Sequence, residues 1–486
     1  MPENNSDRGS EYVKDTAKKI VDYIYNVDGF DKIKHLFKVN DASIKIDVTG
    51  GNFLSYLFAR PQSGLYEDSQ RVFLDKNYYI HLNDESIECR LSNQWKGKQP
   101  VSTRTGNFLL TLIELINKYY ADMCEIKFEA GKWHIVAKKK KFTLKDLPLD
   151  FQLGFPRRYI TALLAKPFVI LTGNSGTGKT RIAKQFAQYL ECGVDGGQKN
   201  WLIVPVGADW TDNSKVLGFF NPLGNEGKGQ YECTNIVKFM EQANQHVNIP
   251  YFLILDEMNL SHVERYFSDF LSHMEIMDIP FEIDGYGKSL KYPSNLFVVG
   301  TVNIDETTYM FSPKVLDRAN VIEFKPVKDD VIKLFRGLDD SASIVPANDG
   351  SAEAFLSLAQ EIRDAGIADT LDVEYIENVF SEIYDVLEGS GFEFAFRTVR
   401  EIRQYISASC ALVEDISSSN SFNFRDAIDE QLVQKIMPKI YGNKKEIGTL
   451  LDDLYSLCEK YDFVLSKAKI EQMKGKLAKV QYASFI

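Results

Sequence analysis

Residues 168–180, Phe-Val-Ile-Leu-Thr-Gly-Asn-Ser-Gly-Thr-Gly-Lys-Thr, join a short apolar run to the helix-forming stretch RIAKQFAQYL at 181–190. Gly173, Gly178, Lys179 and Thr180 fit the spacing GxxxxGK[ST], and a strand before the loop with a helix after it is the context that this motif requires. The glycines let the backbone curl. Backbone N–H groups along Gly173, Asn174, Ser175, Gly176, Thr177, Gly178, Lys179, Thr180 and Arg181 can then point at phosphate oxygens, helped by the partial positive charge of the helix N-terminus. Lys179 is expected at the β and γ phosphates of a nucleoside triphosphate, and Thr180 at Mg²⁺. A tight strand-to-helix turn without a ligand is the plainer alternative.

Working outward, Tyr251-Phe-Leu-Ile-Leu-Asp256-Glu257 places two carboxylates at the end of a second apolar run. At the carboxyl end of a strand beside the phosphate loop they would have separate tasks. Asp256 would hold the Mg²⁺ shell and Glu257 would orient and polarise the attacking water, because phosphoryl transfer needs charge neutralisation and an in-line nucleophile. Helix capping is the bland reading of the pair. A third run, Leu296-Phe-Val-Val-Gly-Thr-Val-Asn303, ends in an uncharged polar residue that could hydrogen-bond the γ-phosphate or the water. Asn303 is thus a sensor candidate, although an Asn after a strand is commonly a turn residue.

These runs, with WLIVPVG, are continuously apolar and alternate with helices, the pattern of a parallel sheet buried on both faces. The sequence therefore predicts an α/β nucleotide-binding domain over 151–326, helices packed on each side of a parallel sheet. Residues 327–486 carry helical periodicity (AFLSLAQEIRDAG, IENVFSEIYDVLEGS, FRTVREIRQYISASCALV) without strand runs, hence an all-helical lid domain. Residues 1–150 mix helical and alternating patterns, an α+β module. The Lys138–Lys141 run and the prolines after it suggest a linker.

The chain has 486 residues, too many for one core. Its net charge of −11 is uneven. Residues 1–150 hold 23 Lys and Arg against 21 Asp and Glu, leaving 34 against 47 for the rest. Contact with nucleic acid is then expected to be local and to lie in the front segment. The six cysteines include no CxxC pair, which disfavours a zinc site or a disulfide framework. No run of eighteen apolar residues exists and the start is polar and acidic, so the expectation is a cytoplasmic protein without a membrane partner.

The ordered segments GNSGTGKT, FLILDEMNLSHVERYFSDFLSHME and VVGTVNIDETTYMFSPKVLDRANVIEF resemble the McrB family of AAA+ proteins, the motor subunits of modification-dependent restriction systems. The resemblance runs from about 165 to 445, including VPVGADWTDNSKVLGFFNP and the late FAFRTVREIRQYI and IDEQLVQKIMPKIYG. It implies that Arg318 is an arginine finger reaching the nucleotide of a neighbouring subunit, and that Arg397 is a second sensor through which the helical lid feels the γ-phosphate. Taken alone, an Arg at a helix end usually complements the helix dipole. Arg265 is a further interface candidate. The resemblance also implies a ring, a hexamer in this family, translocation of DNA, and a separate McrC-like nuclease subunit. Family members that prefer GTP carry MNTAD around the sensor. Here the run is Val302-Asn303-Ile304-Asp305-Glu306, so GTP and ATP stand as equal candidates.

McrB-like proteins vary most at the front, where many carry a DNA-recognition module. Aromatics at Phe53, Tyr56, Phe58, Tyr78, Tyr79, Trp95 and Trp133, with Arg60, Arg71, Arg90, Lys96, Lys98 and Arg104 nearby, supply the stacking surfaces and cations such binding needs. Each aromatic taken singly is more simply a core residue. Glu125-Ile126-Lys127 fits the carboxylate-x-lysine half of a nuclease core, and an alternating surface strand explains it equally. A MoxR-like ATPase that remodels protein partners is the alternative to the restriction motor.

Overall fold

The computed structural model divides the chain into two compact units, Met1–Lys140 and Lys141–Ile486. It describes residues 16–26, 30, 33, 36–39, 43–48, 52–60, 72–82, 85–92, 108–120, 124–129, 132–137, 142–143, 147, 154–191, 199–304, 309–325, 328, 332, 346–347, 350–365, 373–412 and 424–485.

In the front unit, the helix at 16–26 buries Ala17, Ile20, Val21 and Ile24, a stripe at helical spacing, in a core shared with Leu112, Ile113 and Ile116 of the helix Phe108–Tyr119. Five antiparallel strands form its sheet, in the order Phe37–Val39, Ser43–Val48, Asn52–Ala59, Glu85–Ser92, Val72–Leu82. Tyr79 is half exposed, and its N–H donates to the Tyr25 hydroxyl at 3.2 Å. Trp95, Arg71, Lys96, Lys98 and Arg104 lie outside the described residues. Glu125 and Lys127 sit on Cys124–Glu129, which pairs with Lys132–Ala137 as a separate two-stranded hairpin among the described residues.

The second unit opens with helix α1 (Gly154–Ala165) and strand β1 (Phe168–Gly173). Helix α2 (Lys179–Tyr189) buries Ala183, Phe186 and Ala187 against the sheet, and β2 (Trp201–Pro205) follows. A hairpin of Phe219–Asn221 and Gln230–Glu232 precedes α3 (Asn235–Gln245), whose N-cap Thr234 accepts the Val237 N–H at 3.2 Å. Then come β3 (Tyr251–Asp256), α4 (Ser268–His273), β4 (Leu296–Asn303) and β5 (Asn320–Glu323). The sheet order is β5-β1-β4-β3-β2 with every pairing parallel. All eight residues of β4 are buried, as a strand covered on both faces must be.

The C-terminal region is helical: α5 (Ser351–Ala365), α6 (Val373–Leu387), α7 (Phe396–Ala411), α8 (Phe424–Gln431) running into a π-turn (Leu432–Ile436), α9 (Lys444–Tyr461) and α10 (Val464–Val480). Two three-residue strands, Tyr441–Asn443 and Tyr482–Ser484, pair across the base of the α9–α10 hairpin, so the region is not strictly all-helical. Three residues are too few for an alternating pattern to register in the sequence. The helical region shares one hydrophobic cluster with the sheet. Phe355 of α5 packs on Phe186, Phe252 and Phe297, with centroids 5.2–6.1 Å away. The expected linker near 150 also joins this cluster: Phe142 and Leu147 are buried, and Phe142 meets Phe355 edge-on at 5.3 Å. The open edge of β5 is covered by the π-turn and α10, with Lys469 Nζ on Glu323 Oε2 at 2.8 Å. Among the described residues, no helix is long and apolar enough to cross a membrane.

Candidate functional site

The loop between β1 and α2 takes backbone conformations that glycine supplies cheaply. Gly176 has φ +74° and Gly178, the residue before α2, has φ +98°. At Gly173 a Cβ would lie 2.5 Å from the Phe324 carbonyl oxygen, so the β1 terminus closes on the chain leaving β5 only because no side chain intervenes. Asn174 and Ser175 are exposed at the tip, and the Thr177 hydroxyl donates to Asn174 O at 2.9 Å. Lys179 is buried, its ammonium donating to Gly173 O at 2.9 Å and Asn174 O at 2.7 Å. That places a positive charge against the concave side of the loop, at the N-terminus of an eleven-residue helix. Arg181 is exposed on the first turn of α2.

Sheet register delivers the other groups to the same edge. Asn303 lies opposite Gly173, and Leu255 lies opposite Gly300, which sets Asp256 beside Thr301. The Thr180 hydroxyl donates to Asp256 Oδ1 at 2.6 Å, and the Thr301 hydroxyl donates to the same oxygen at 2.7 Å. Thr301 Oγ1 in turn accepts the Glu257 N–H at 3.0 Å. Glu257 stands in the left-handed region at φ 54°, turning its side chain away from the strand direction, and Asn303 Nδ2 donates to its Oε1 at 3.3 Å. A continuous chain of polar contacts therefore links Thr180, Asp256, Thr301, Glu257 and Asn303.

The residues present fit Mg²⁺. That ion takes hard oxygen ligands and keeps waters and phosphate oxygens in its shell. Thr180 Oγ1 and Asp256 Oδ1 are such a pair of oxygens, close enough to share one ion. Among the described residues, no group of three or more His, Cys, Asp or Glu forms an all-protein metal cage.

Nothing in the sequence alone marks Thr301 as part of this site. The signal is available only through register: it stands two residues before Asn303 on a strand adjacent to the acidic pair.

Arg318 and Arg397 are not brought to this edge. Asn320 pairs with Val169 near the start of β1, so Arg318 lies at the opposite end of the sheet, on the order of 15 Å from the loop at about 3.3 Å per strand residue. Its Nε donates to Leu271 O at 2.9 Å and its Nη1 to Lys314 O at 3.0 Å, with Glu275 at 3.8 Å. Arg397, the second residue of α7, pairs with Asp317 at 2.9 Å and Glu275 at 3.3 Å. Lys439 pairs with the other oxygen of Asp317 at 2.7 Å. These cations hold the Asp317 carboxyl at about 2, against the cost of its partial burial. Arg265 is exposed on the short helix Val263–Tyr266. Asp305 and Glu306 lie outside the described residues.

Residues 168–318 match the family described as AAA domain (dynein-related subfamily), and residues 348–482 match a domain of unknown function, DUF8727. No curated protein matches the chain. Among solved structures, a candidate ATPase from Cytophaga hutchinsonii ATCC 33406 is 16% identical, with 58% of this chain and 80% of that chain covered and a TM-score of 0.40. The family match coincides with the stretch that holds the phosphate loop, the acidic pair and strands β1 to β4 of the parallel sheet, with β5 just after it, and residues 168–318 are an AAA+ ATPase domain followed by a helical C-terminal region.

Proposed function

We propose that the chain is a McrB-like motor subunit. It hydrolyses GTP or ATP in a homo-oligomeric ring, six-membered by resemblance. The cycle moves DNA and activates a separate McrC-like endonuclease in the restriction of foreign or modified DNA. The observation that carries this reading is the division of the machinery between two ends of one sheet. Thr180, Asp256, Glu257 and Asn303 stand at the carboxyl edge, and Arg318 stands at the other. A guanidinium so placed is out of reach of its own chain's phosphate loop, which supports a role at the nucleotide of a neighbouring copy.

Within that reading each group has a chemical task. Mg²⁺, where bound with the nucleotide, would supply charge neutralisation at the phosphates. Thr180 and Asp256 hold it, Lys179 and the loop N–H groups grip the phosphates, and Glu257 orients the water with Asn303 fixing its carboxylate. Arg318 supplies positive charge to the neighbour's transition state. Arg397 pairs with Glu275, which also lies 3.8 Å from the finger, and with Asp317, the finger's neighbour in the chain, and so belongs to the same face of the subunit. DNA is engaged through the front unit. The 34-against-47 charge balance of residues 151–486 favours one alternative, a MoxR-like ATPase that remodels protein partners.

The test is steady-state phosphate release from GTP and ATP, with and without methylated or plain duplex DNA, comparing the parent with Glu257→Gln. The motor reading expects one preferred nucleotide, an inactive E257Q and a DNA-dependent rate. Turnover indifferent to every DNA would move the assignment to protein remodelling.

A further inference from the structure

Lys435 is fully buried inside the π-turn that follows α8. Its ammonium donates to Asp317 O at 2.8 Å and to Ala319 O at 3.1 Å, the two carbonyls that straddle Arg318. The same ammonium is paired with Glu401 of α7, which also binds Lys166 just ahead of β1. One cation from the helical region thus grips the backbone on both sides of the candidate finger, from a position 116 residues further along the chain.

Such an arrangement is costly. Removing an ammonium from water is unfavourable, and the cost is recovered only where geometry and hydrogen bonds are good. Burial pushes the Lys435 pKa down to about 8 even with Glu401 alongside. The turn carrying it is of the wide type that is rare in helices and recurs at functional sites. The two carbonyls lie just past the four-residue helix Pro313–Leu316, whose end is closed by the Asp317 N–H on Pro313 O at 2.9 Å and the Arg318 N–H on Val315 O at 3.0 Å.

We infer that Lys435 is a positioning residue for Arg318: it fixes the finger's backbone to the helical region, so that the guanidinium is presented at a set distance and angle to the neighbouring subunit. The inference rests on the reading of Arg318 as the group acting on the neighbour's nucleotide. Asp317 works alongside, its carboxylate held by Arg397 and Lys439 from the same helical region.

The experiment uses the full chain and measures kcat and KM for phosphate release in four proteins: the parent, Lys435→Met, Arg318→Ala and the double variant. A positioning role expects K435M to lower kcat about 10- to 100-fold, the cost of a misplacement of about 1 Å, with KM within about twofold. It also expects the double variant to be no slower than R318A, because Lys435 then has no finger to place. If K435M retains the parental kcat, or slows R318A by the factor it slows the parent, Lys435 is only a brace and the inference is overturned. If R318A itself retains the parental kcat, the finger reading fails and the inference with it, a result distinct from the first. Should K435M fold poorly, K435M combined with Glu401→Gln, which leaves no orphan carboxylate, takes its place. Failure of both to fold would make Lys435 purely structural and also overturn the inference.

Discussion

Replacing Thr301 by valine exchanges one hydroxyl for a methyl of similar size on a strand where a β-branched residue is already accommodated. Thr301 is buried, so water does not take the hydroxyl's place. The Glu257 N–H loses its acceptor at 3.0 Å, and Asp256 Oδ1 loses one of its two donors. An orphaned buried donor costs about 1–3 kcal/mol. If that cost falls on the alignment of Glu257 in the transition state, at about 1.4 kcal/mol per tenfold, kcat drops roughly 5- to 150-fold. Nucleotide affinity should move by less than about twofold, because Lys179 and the loop keep their contacts. Initial-rate phosphate release at saturating nucleotide gives kcat, equilibrium binding gives the affinity, and a thermal melt confirms folding. Thr301→Ser, which keeps the hydroxyl, should recover most of the rate. A folded T301V with parental kcat would refute the argument that Thr301 aligns the acidic pair.

Three further outcomes follow from the same contacts. Gly173→Ala forces a Cβ to 2.5 Å from the Phe324 carbonyl at φ +155°, so nucleotide affinity should fall at least tenfold in equilibrium titration and the apparent Tm should drop. Asp317, with a folded pKa of about 2 against an ordinary 3.8, contributes stability that is present above about pH 4 and lost as pH falls toward 2. Asp317→Asn should therefore lower the apparent Tm at neutral pH, and the two proteins should converge near pH 2. Arg157→Ala leaves the buried Glu430 without the guanidinium 2.7 Å away, although the Tyr405 hydroxyl still donates to it at 2.7 Å. Burial already pushes the Glu430 pKa up, so the loss should cost about 3–5 kcal/mol in denaturant unfolding.

The phosphate loop and the ends of β3 and β4 were legible in the sequence because each is set by a few adjacent residues. Eight positions fix the loop, and continuous apolar runs of six to eight residues mark strands buried on both faces. The order of these motifs implied a shared sheet and hence a shared edge. Tertiary structure decided whatever depends on register or on contacts between distant segments. Thr301 joins the acidic pair only because β3 and β4 align Leu255 with Gly300. Arg397 carries no mark in the sequence that it stands with Asp317 and Glu275 rather than at the phosphate loop. Phe142 and Leu147 look like linker residues until the second unit's core closes over them. Lys435 looks like any lysine in a helical stretch, and only packing reveals that it is buried against the carbonyls of residues 317 and 319. Local chemistry is written in neighbouring residues. Where a distant segment docks is settled by the whole buried surface, to which no short stretch of sequence is a guide.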